Sequence, residues 1–194
     1  MIHKFDITEN ILHQLKEDVK KKEKEYNSNL VGNIREEYGL EDGMEKYEKF
    51  IIDKINENNF LLEHLKNIDI LKEPQKLILG SLWVNFQKKN EFNPVHYHSG
   101  VFSFILFIQM PFLMSDELKK SPGINSKKNL AGHLQFLQID PYRNNGILIE
   151  NFPVDKTWEG TGLIFRSQLS HCVYPFFSSE DYRITVSGNI FFGN

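Results

Sequence analysis

The chain of 194 residues has a single cysteine, Cys172, so it cannot form an internal disulfide. We interpret Cys172 as a small core residue, and its isolation fits a reducing compartment; we therefore expect a cytoplasmic protein. The longest apolar stretch, from Val101 to Met114, is too short to span a bilayer, and the first residues show no signal-peptide pattern. We expect no association with membranes.

An excess of charge of one sign is also lacking. Lysine and arginine together number 23, aspartate and glutamate 26, and the net charge is -3. Binding to nucleic acid depends on a surplus of basic residues, so this balance gives no reason to expect a nucleic-acid partner.

The chain changes character near residue 76. Before it, apolar residues recur at helical spacing, and they predict a helix from about Gly43 to Asn56. After it, short apolar runs separated by turn signals predict strands, which suggests a sandwich or barrel. We therefore predict two regions, a helical N-terminal region over 1–75 that packs on a β-barrel domain over 76–194.

One polar segment interrupts the predicted strands. Residues 115–130 contain Pro122, Gly123 and a lysine pair, which predicts a surface loop.

The segment Asn93-Pro94-Val95-His96-Tyr97-His98-Ser99-Gly100 carries the strongest chemical signal. On an extended chain, His96 and His98 project to the same side, and His171 supplies a third imidazole far downstream. Imidazole binds Fe, Zn, Cu and Ni alike, so these residues indicate a metal site without choosing the metal. Three protein ligands leave coordination positions open, which favours catalysis over a closed structural site.

The final predicted strand has one polar face, formed by Arg183, Thr185, Ser187 and Asn189. It is either a half-exposed strand with this face in water or the polar lining of a barrel. In the second case Arg183 pairs with a carboxylate, because guanidinium is planar, permanently charged and able to bind bidentately.

Several segments, taken in order, resemble the iron(II)- and 2-oxoglutarate-dependent oxygenase superfamily. Within it, the chain is most similar to a prolyl-hydroxylase-like group with a His-x-His-Ser-Gly motif. The resemblance covers roughly residues 77–192, and the matching segments are 83–85, 93–101, 132–136, 162–175 and 182–189.

The resemblance implies a mainly β fold, the double-stranded β-helix (a cupin-like jelly roll), with an N-terminal helical region. By position, His96 and His171 match the two metal histidines of the superfamily. The superfamily usually has a carboxylate where this chain has His98, so three imidazoles would hold Fe(II) here and leave the centre one unit more positive.

The resemblance also implies a site for 2-oxoglutarate. Arg183 matches the arginine that binds the far carboxylate of this cosubstrate, and Thr185 fits the accompanying Arg-x-Ser/Thr pattern. Asn85 and Asn189 are expected to face the same pocket.

These assignments imply an Fe(II)- and 2-oxoglutarate-dependent dioxygenase that hydroxylates a peptide or protein side chain, or a small metabolite. Two alternatives remain. A cupin-like three-histidine dioxygenase would work without 2-oxoglutarate, and a non-catalytic β-barrel would serve as a binding module.

Overall fold

The computed structural model describes residues 2–68, 75–140, 142 and 146–193. The helices are α1 (Glu9–Asp18), α2 (Met44–Asn56), α3 (Asn59–Lys66) and α4 (Met114–Lys120). The strands are β1 (Ile2–Asp6), β2 (Lys24–Glu25), β3 (Glu36–Gly39), β4 (Leu77–Gln87), β5 (Asn93–His96), β6 (Phe102–Gln109), β7 (His133–Asp140), β8 (Gly146–Pro153), β9 (Thr161–Arg166), β10 (Ser170–Val173) and β11 (Arg183–Phe192).

Two antiparallel sheets form the body of the protein. The larger sheet has the order β1-β9-β6-β11-β4-β3-β2, and the smaller has the order β5-β10-β7-β8. The predicted mainly β jelly roll with N-terminal helices is confirmed. None of the helices in the described ranges is long and apolar enough to cross a membrane.

Burial on both faces explains the continuous apolar run of the central strand β6. Seven of its eight residues, Phe102 to Ile108, are buried. The outward face packs under the N-terminal helices, in a cluster that includes Leu15 and Ile51, whereas the inward face meets the smaller sheet. A strand covered on both sides cannot alternate apolar and polar residues.

The first third of the chain is not only helical. Helix α2 lies where it was predicted, but strand β1 pairs with β9 and strand β3 pairs with β4, so the region also extends both edges of the larger sheet. Because β3 contains charged residues such as Glu36 and Glu37, its sequence resembles that of a loop or a helix. Glutamate has a low intrinsic propensity for strands, but the backbone hydrogen bonds with β4 stabilise the strand in spite of it. The division of the chain at residue 76 stays a prediction.

Part of the segment predicted as a surface loop forms helix α4, which packs against the rest of the protein. Glu117 of α4 is fully buried, and its carboxylate accepts hydrogen bonds from the backbone N–H groups of Phe177 (2.8 Å) and Ser178 (2.9 Å). The prediction was wrong for this part because a glutamate in a short polar segment normally lies in water. Here two backbone donors replace that water. The likewise buried Cys172 fits its interpretation as a core residue.

Candidate metal centre and active site

Three imidazoles meet between the two sheets. His96 ends β5 and is the direct cross-strand partner of His171 on β10, so both side chains lie on the same face of the smaller sheet. His98 follows two residues after His96. One ligand atom from each residue can be chosen so that all three lie within 4.8 Å of one another, close enough to hold one metal ion. The structure thus brings together all three predicted metal ligands.

Hydrogen bonds to backbone carbonyls orient two of the rings. The Nδ1 atom of His96 lies 2.7 Å from the carbonyl oxygen of Pro94, and that of His171 lies 2.9 Å from the carbonyl oxygen of Leu169. A carbonyl can only accept, so Nδ1 carries the proton in each neutral ring. The Nε2 lone pair is then free for a metal, which is the usual arrangement of metal-binding histidines.

The environment keeps the three rings neutral. Burial lowers the pKa of His96, against a weaker opposing effect of the Pro94 carbonyl. Burial, with the nearby His96, lowers the pKa of His98 to about 4. Burial lowers the pKa of His171 to about 3, again with a contribution from His96. Neutral imidazole is the form that binds metal, so the site is prepared for a cation at neutral pH.

The lowered pKa values predict weak proton competition with the metal. At pH 5 the rings of His98 and His171 stay neutral because the pH is still above their pKa values of about 4 and 3. Calorimetric titration with Fe(II) under anaerobic conditions should therefore show less than about 100-fold loss of affinity between pH 7.5 and pH 5. Three ordinary histidines would lose about 10⁴-fold over the same interval, and a loss of that size would contradict the prediction.

Arg183 is a buried cation whose positive charge is only weakly balanced by hydrogen bonds and nearby negative charge. Its side chain is 2% exposed, and its Nη1 donates one long hydrogen bond of 3.5 Å to the carbonyl oxygen of Gly132. Burial lowers the pKa of Arg183 to about 10, and the charge of Glu117 opposes this shift only in part. In the described part of the chain Arg183 forms no ion pair. A buried guanidinium of this kind is suited to an incoming carboxylate.

The other predicted cosubstrate residues divide into two groups. Asn85 and Thr185 are cross-strand partners on β4 and β11, and the Asn85 amide donates to the Thr185 hydroxyl at 3.2 Å. Both line the same cavity as Arg183 and the three histidines. Asn189 does not line this cavity; it accepts from Ser103 at 2.7 Å and donates to Ser81 at 3.1 Å. It thereby joins β11 to both of its neighbouring strands.

The cavity has a second charged residue that the sequence did not reveal. Glu37 of β3 lies beside Asn85 and contributes to the lining, together with Asn93 and Gly32. No motif marks this glutamate, because Glu36 and Glu37 stand in a charged N-terminal region. Only a correct prediction of the pairing between β3 and β4 would have found it.

The residues fit a divalent metal and a small dicarboxylate. Three neutral nitrogen ligands converge on one point, and a guanidinium that forms no ion pair with any described residue lines the same cavity. The ligand set leaves coordination positions open for other groups.

Comparison with known families decides the assignment. The model of the 2OG-Fe(II) oxygenase family matches residues 81–189, more than half of the chain. The chain belongs to this family. The matched segment contains all three histidines, Arg183 and Thr185. The protein is therefore an oxidoreductase that uses Fe(II) and 2-oxoglutarate, and the resemblance inferred from the sequence is confirmed.

One solved structure supports the fold of this oxygenase. A prolyl-4-hydroxylase from Pseudomonas putida superposes with a TM-score of 0.58 at 12% identity, over 100% of this chain and 93% of that one. Two other solved structures superpose less closely. They are a 2OG-Fe(II) oxygenase family oxidoreductase from Burkholderia pseudomallei (TM-score 0.41, 11% identity, 73% of this chain and 56% of that one) and EvdO2 from Micromonospora carbonacea (TM-score 0.43, 11% identity, 98% and 86%). No curated protein matches the sequence.

Proposed function

We propose that the oxygenase hydroxylates a C–H bond of a peptide or protein side chain, or of a small metabolite. The observation that carries this proposal is that one cavity is lined by a three-imidazole cluster and by a buried guanidinium that has no ion-pair partner within the described ranges. A hydroxylase of this family needs both, because metal and cosubstrate must be held side by side.

The proposed ligands of Fe(II) are the Nε2 atoms of His96 and His171, together with His98. The Nδ1 bonds to backbone carbonyls support this assignment, since they fix two rings with the lone pair available. When bound, Fe(II) and 2-oxoglutarate supply the oxidation with molecular oxygen, and succinate and carbon dioxide are the co-products.

The proposed task of Arg183 is to hold the far carboxylate of 2-oxoglutarate. Thr185 lies two residues along the same strand and can donate its hydroxyl to that carboxylate, while Asn85 orients Thr185 through the 3.2 Å hydrogen bond. Asn189 supports the site indirectly by joining β11 to Ser81 and Ser103.

The apolar part of the cavity has a role of its own. Phe107, Leu134 and Phe165 are fully buried and line the space next to the imidazoles. Such a lining excludes water and strengthens the electrostatic interactions within the site.

An anaerobic titration tests the proposal. Metal-free protein receives Fe(II), then 2-oxoglutarate, while the visible spectrum is recorded. A weak charge-transfer band that needs both additions is the expected result, followed by formation of succinate when oxygen is admitted. Binding of Fe(II) without the band would contradict the proposal and favour a three-histidine dioxygenase that works without a keto acid.

A further inference from the structure

The cavity lining contains both a basic and an acidic side chain. Apart from its histidines, the charged residues among its lining are Arg183 and Glu37. Glu37, Asn85 and Thr185 are successive cross-strand partners on β3, β4 and β11, so their side chains form one row on the inner face of the larger sheet. Arg183 has a proposed carboxylate partner, whereas the proposed function gives Glu37 none.

The Glu37 carboxylate is poorly satisfied. The residue is 1% exposed, its Oε2 accepts one hydrogen bond of 3.3 Å from Asn27, and its Oε1 has no hydrogen-bond partner among the residues that the structure describes. Burial raises the pKa of Glu37 to about 7, and the charge of Glu91 adds to this effect. No ion pair of the described residues includes Glu37. A buried carboxylate with one weak hydrogen bond is costly unless another group binds to it.

Two further acceptors without partners lie on the same cavity. The Oδ1 atoms of Asn85 and Asn93 are buried and accept no hydrogen bond from the described part of the chain, and both residues line the cavity with Glu37. Gly32 keeps the space between two of these residues open. A Cβ atom at Gly32 would collide with Asn93 Oδ1 and lie 2.9 Å from Glu37 Oε1. The lining here thus offers several hydrogen-bond acceptors and a gap between them.

The outer part of the lining is apolar. Val31 and Tyr97 are 56% and 69% exposed and belong to the same cavity, as does Leu30. An aliphatic chain can pack against these side chains while its polar end reaches the acceptors inside.

We propose that Glu37, with the amide oxygens of Asn85 and Asn93, binds an organic cation of the substrate, namely an ammonium or guanidinium group on an aliphatic chain. The inference rests on the proposed function and narrows the substrate class. Arg183 then binds the anionic cosubstrate and Glu37 binds the cationic substrate. Each ligand is thereby directed to the residue of opposite charge within the same cavity.

A cation fits these acceptors better than a neutral donor does. The Asn85 and Asn93 oxygens can only accept, and a cation beside Glu37 would favour the charged form of its carboxylate, which burial alone disfavours. A cation adds Coulomb attraction to the hydrogen bond that any donor can make with the carboxylate, and the low local dielectric strengthens this attraction.

Binding of small probes tests the inference. Pentylammonium and its neutral counterpart, pentan-1-ol, are titrated by NMR into the full chain loaded with Fe(II) and 2-oxoglutarate without oxygen, and again into the metal-free chain. We expect wild-type protein to prefer the cation, and Glu37→Gln to weaken cation binding by about tenfold or more without weakening alcohol binding.

Glu36→Gln is the matched control. This neighbouring carboxylate bonds to Lys22 and Tyr182 and does not line the cavity, so cation binding should be unchanged. Gly32→Ala is a second variant that fills the gap between the acceptors, and it should weaken cation binding although every charge is retained.

A further arm separates the two sources of the cation. A short peptide with one lysine is compared with its norleucine counterpart. Tight binding of the lysine peptide indicates a protein substrate, and binding of pentylammonium alone indicates a small amine; either result supports the inference.

Two results would overturn it. Equal affinity of wild type, Glu37→Gln and Gly32→Ala for pentylammonium would make Glu37 a purely structural residue. Loss of the charge-transfer band in Glu37→Gln with cation binding intact would instead assign Glu37 to the metal centre. Because the probes are also titrated without metal, a failure of the oxygenase assignment itself would appear separately, as a missing band in wild-type protein.

Discussion

Replacing Arg183 by methionine should weaken 2-oxoglutarate binding by about 100-fold or more, equivalent to about 2.7 kcal/mol. The guanidinium is buried, has one hydrogen bond of 3.5 Å, and forms no ion pair within the described ranges, so the cosubstrate carboxylate is its best available partner. Truncating one member of a buried charge pair leaves the other charge uncompensated, which explains the size of the effect. The charge-transfer band, recorded against 2-oxoglutarate concentration, measures the loss.

The same substitution should not reduce stability when 2-oxoglutarate is absent. A buried charge without an ion pair costs free energy, and methionine fills a similar volume without that cost. Urea unfolding of the free protein should give a free energy of unfolding equal to that of wild type, or higher. Added 2-oxoglutarate should then stabilise the Fe(II)-loaded wild type but not the variant.

Arg166→Met is the matched control for this experiment. Arg166 ends β9 and does not line the cavity, so its replacement should leave 2-oxoglutarate affinity unchanged. Arg183→Lys keeps the charge but loses the bidentate geometry, and its affinity should fall between those of wild type and Arg183→Met. Wild-type affinity in Arg183→Met would refute the proposed role.

The second large effect concerns the metal. Alanine at His96, His98 or His171 should each lower Fe(II) affinity by more than about 100-fold, because even removal of a group that only orients a ligand costs about 10- to 100-fold. Anaerobic calorimetry measures the loss directly. Aspartate at position 98 should retain Fe(II), because it restores the carboxylate that the superfamily usually carries there.

His133→Ala serves as the control for the histidine series. Its Nδ1 lies 2.9 Å from the carbonyl oxygen of Ala131, the same local arrangement as at His96 and His171, but it does not line the cavity. Its replacement should leave Fe(II) affinity unchanged. Wild-type affinity in His98→Ala would show that two histidines hold the metal and that His98 has another task.

With His98 as the proposed third metal ligand, the electrostatics of the cavity would differ from those of the usual site of the superfamily. A carboxylate ligand would cancel one metal charge, and His98 does not. The acidic residue that the structure does place on the cavity is Glu37, which belongs to the N-terminal region and lies before the matched segment 81–189. The matched segment alone therefore does not include the acidic residue of the cavity, and strand β3 must be considered together with it.

Much of the site could be predicted from the sequence because its signals are local. The spacing of His96 and His98 places both on one side of an extended chain, and alternation along the last strand groups Arg183 with Thr185. Apolar periodicity predicts helix α2 and the strand that begins at Leu77 in the same way, and it indicates a sandwich or barrel, whereas the jelly roll itself was implied by the family resemblance. The order of these motifs along the chain was enough to indicate the family.

Tertiary structure alone decided which N-terminal residues reach the site. Glu36 and Glu37 are adjacent and chemically identical, yet Glu36 bonds to Lys22 and Tyr182, whereas Glu37 lies beside Asn85 on the cavity. A shift of one residue in the pairing of β3 with β4 would exchange the two, because successive side chains of a strand point to opposite faces. That register is set by contacts between segments almost fifty residues apart, and no pattern within either segment encodes it.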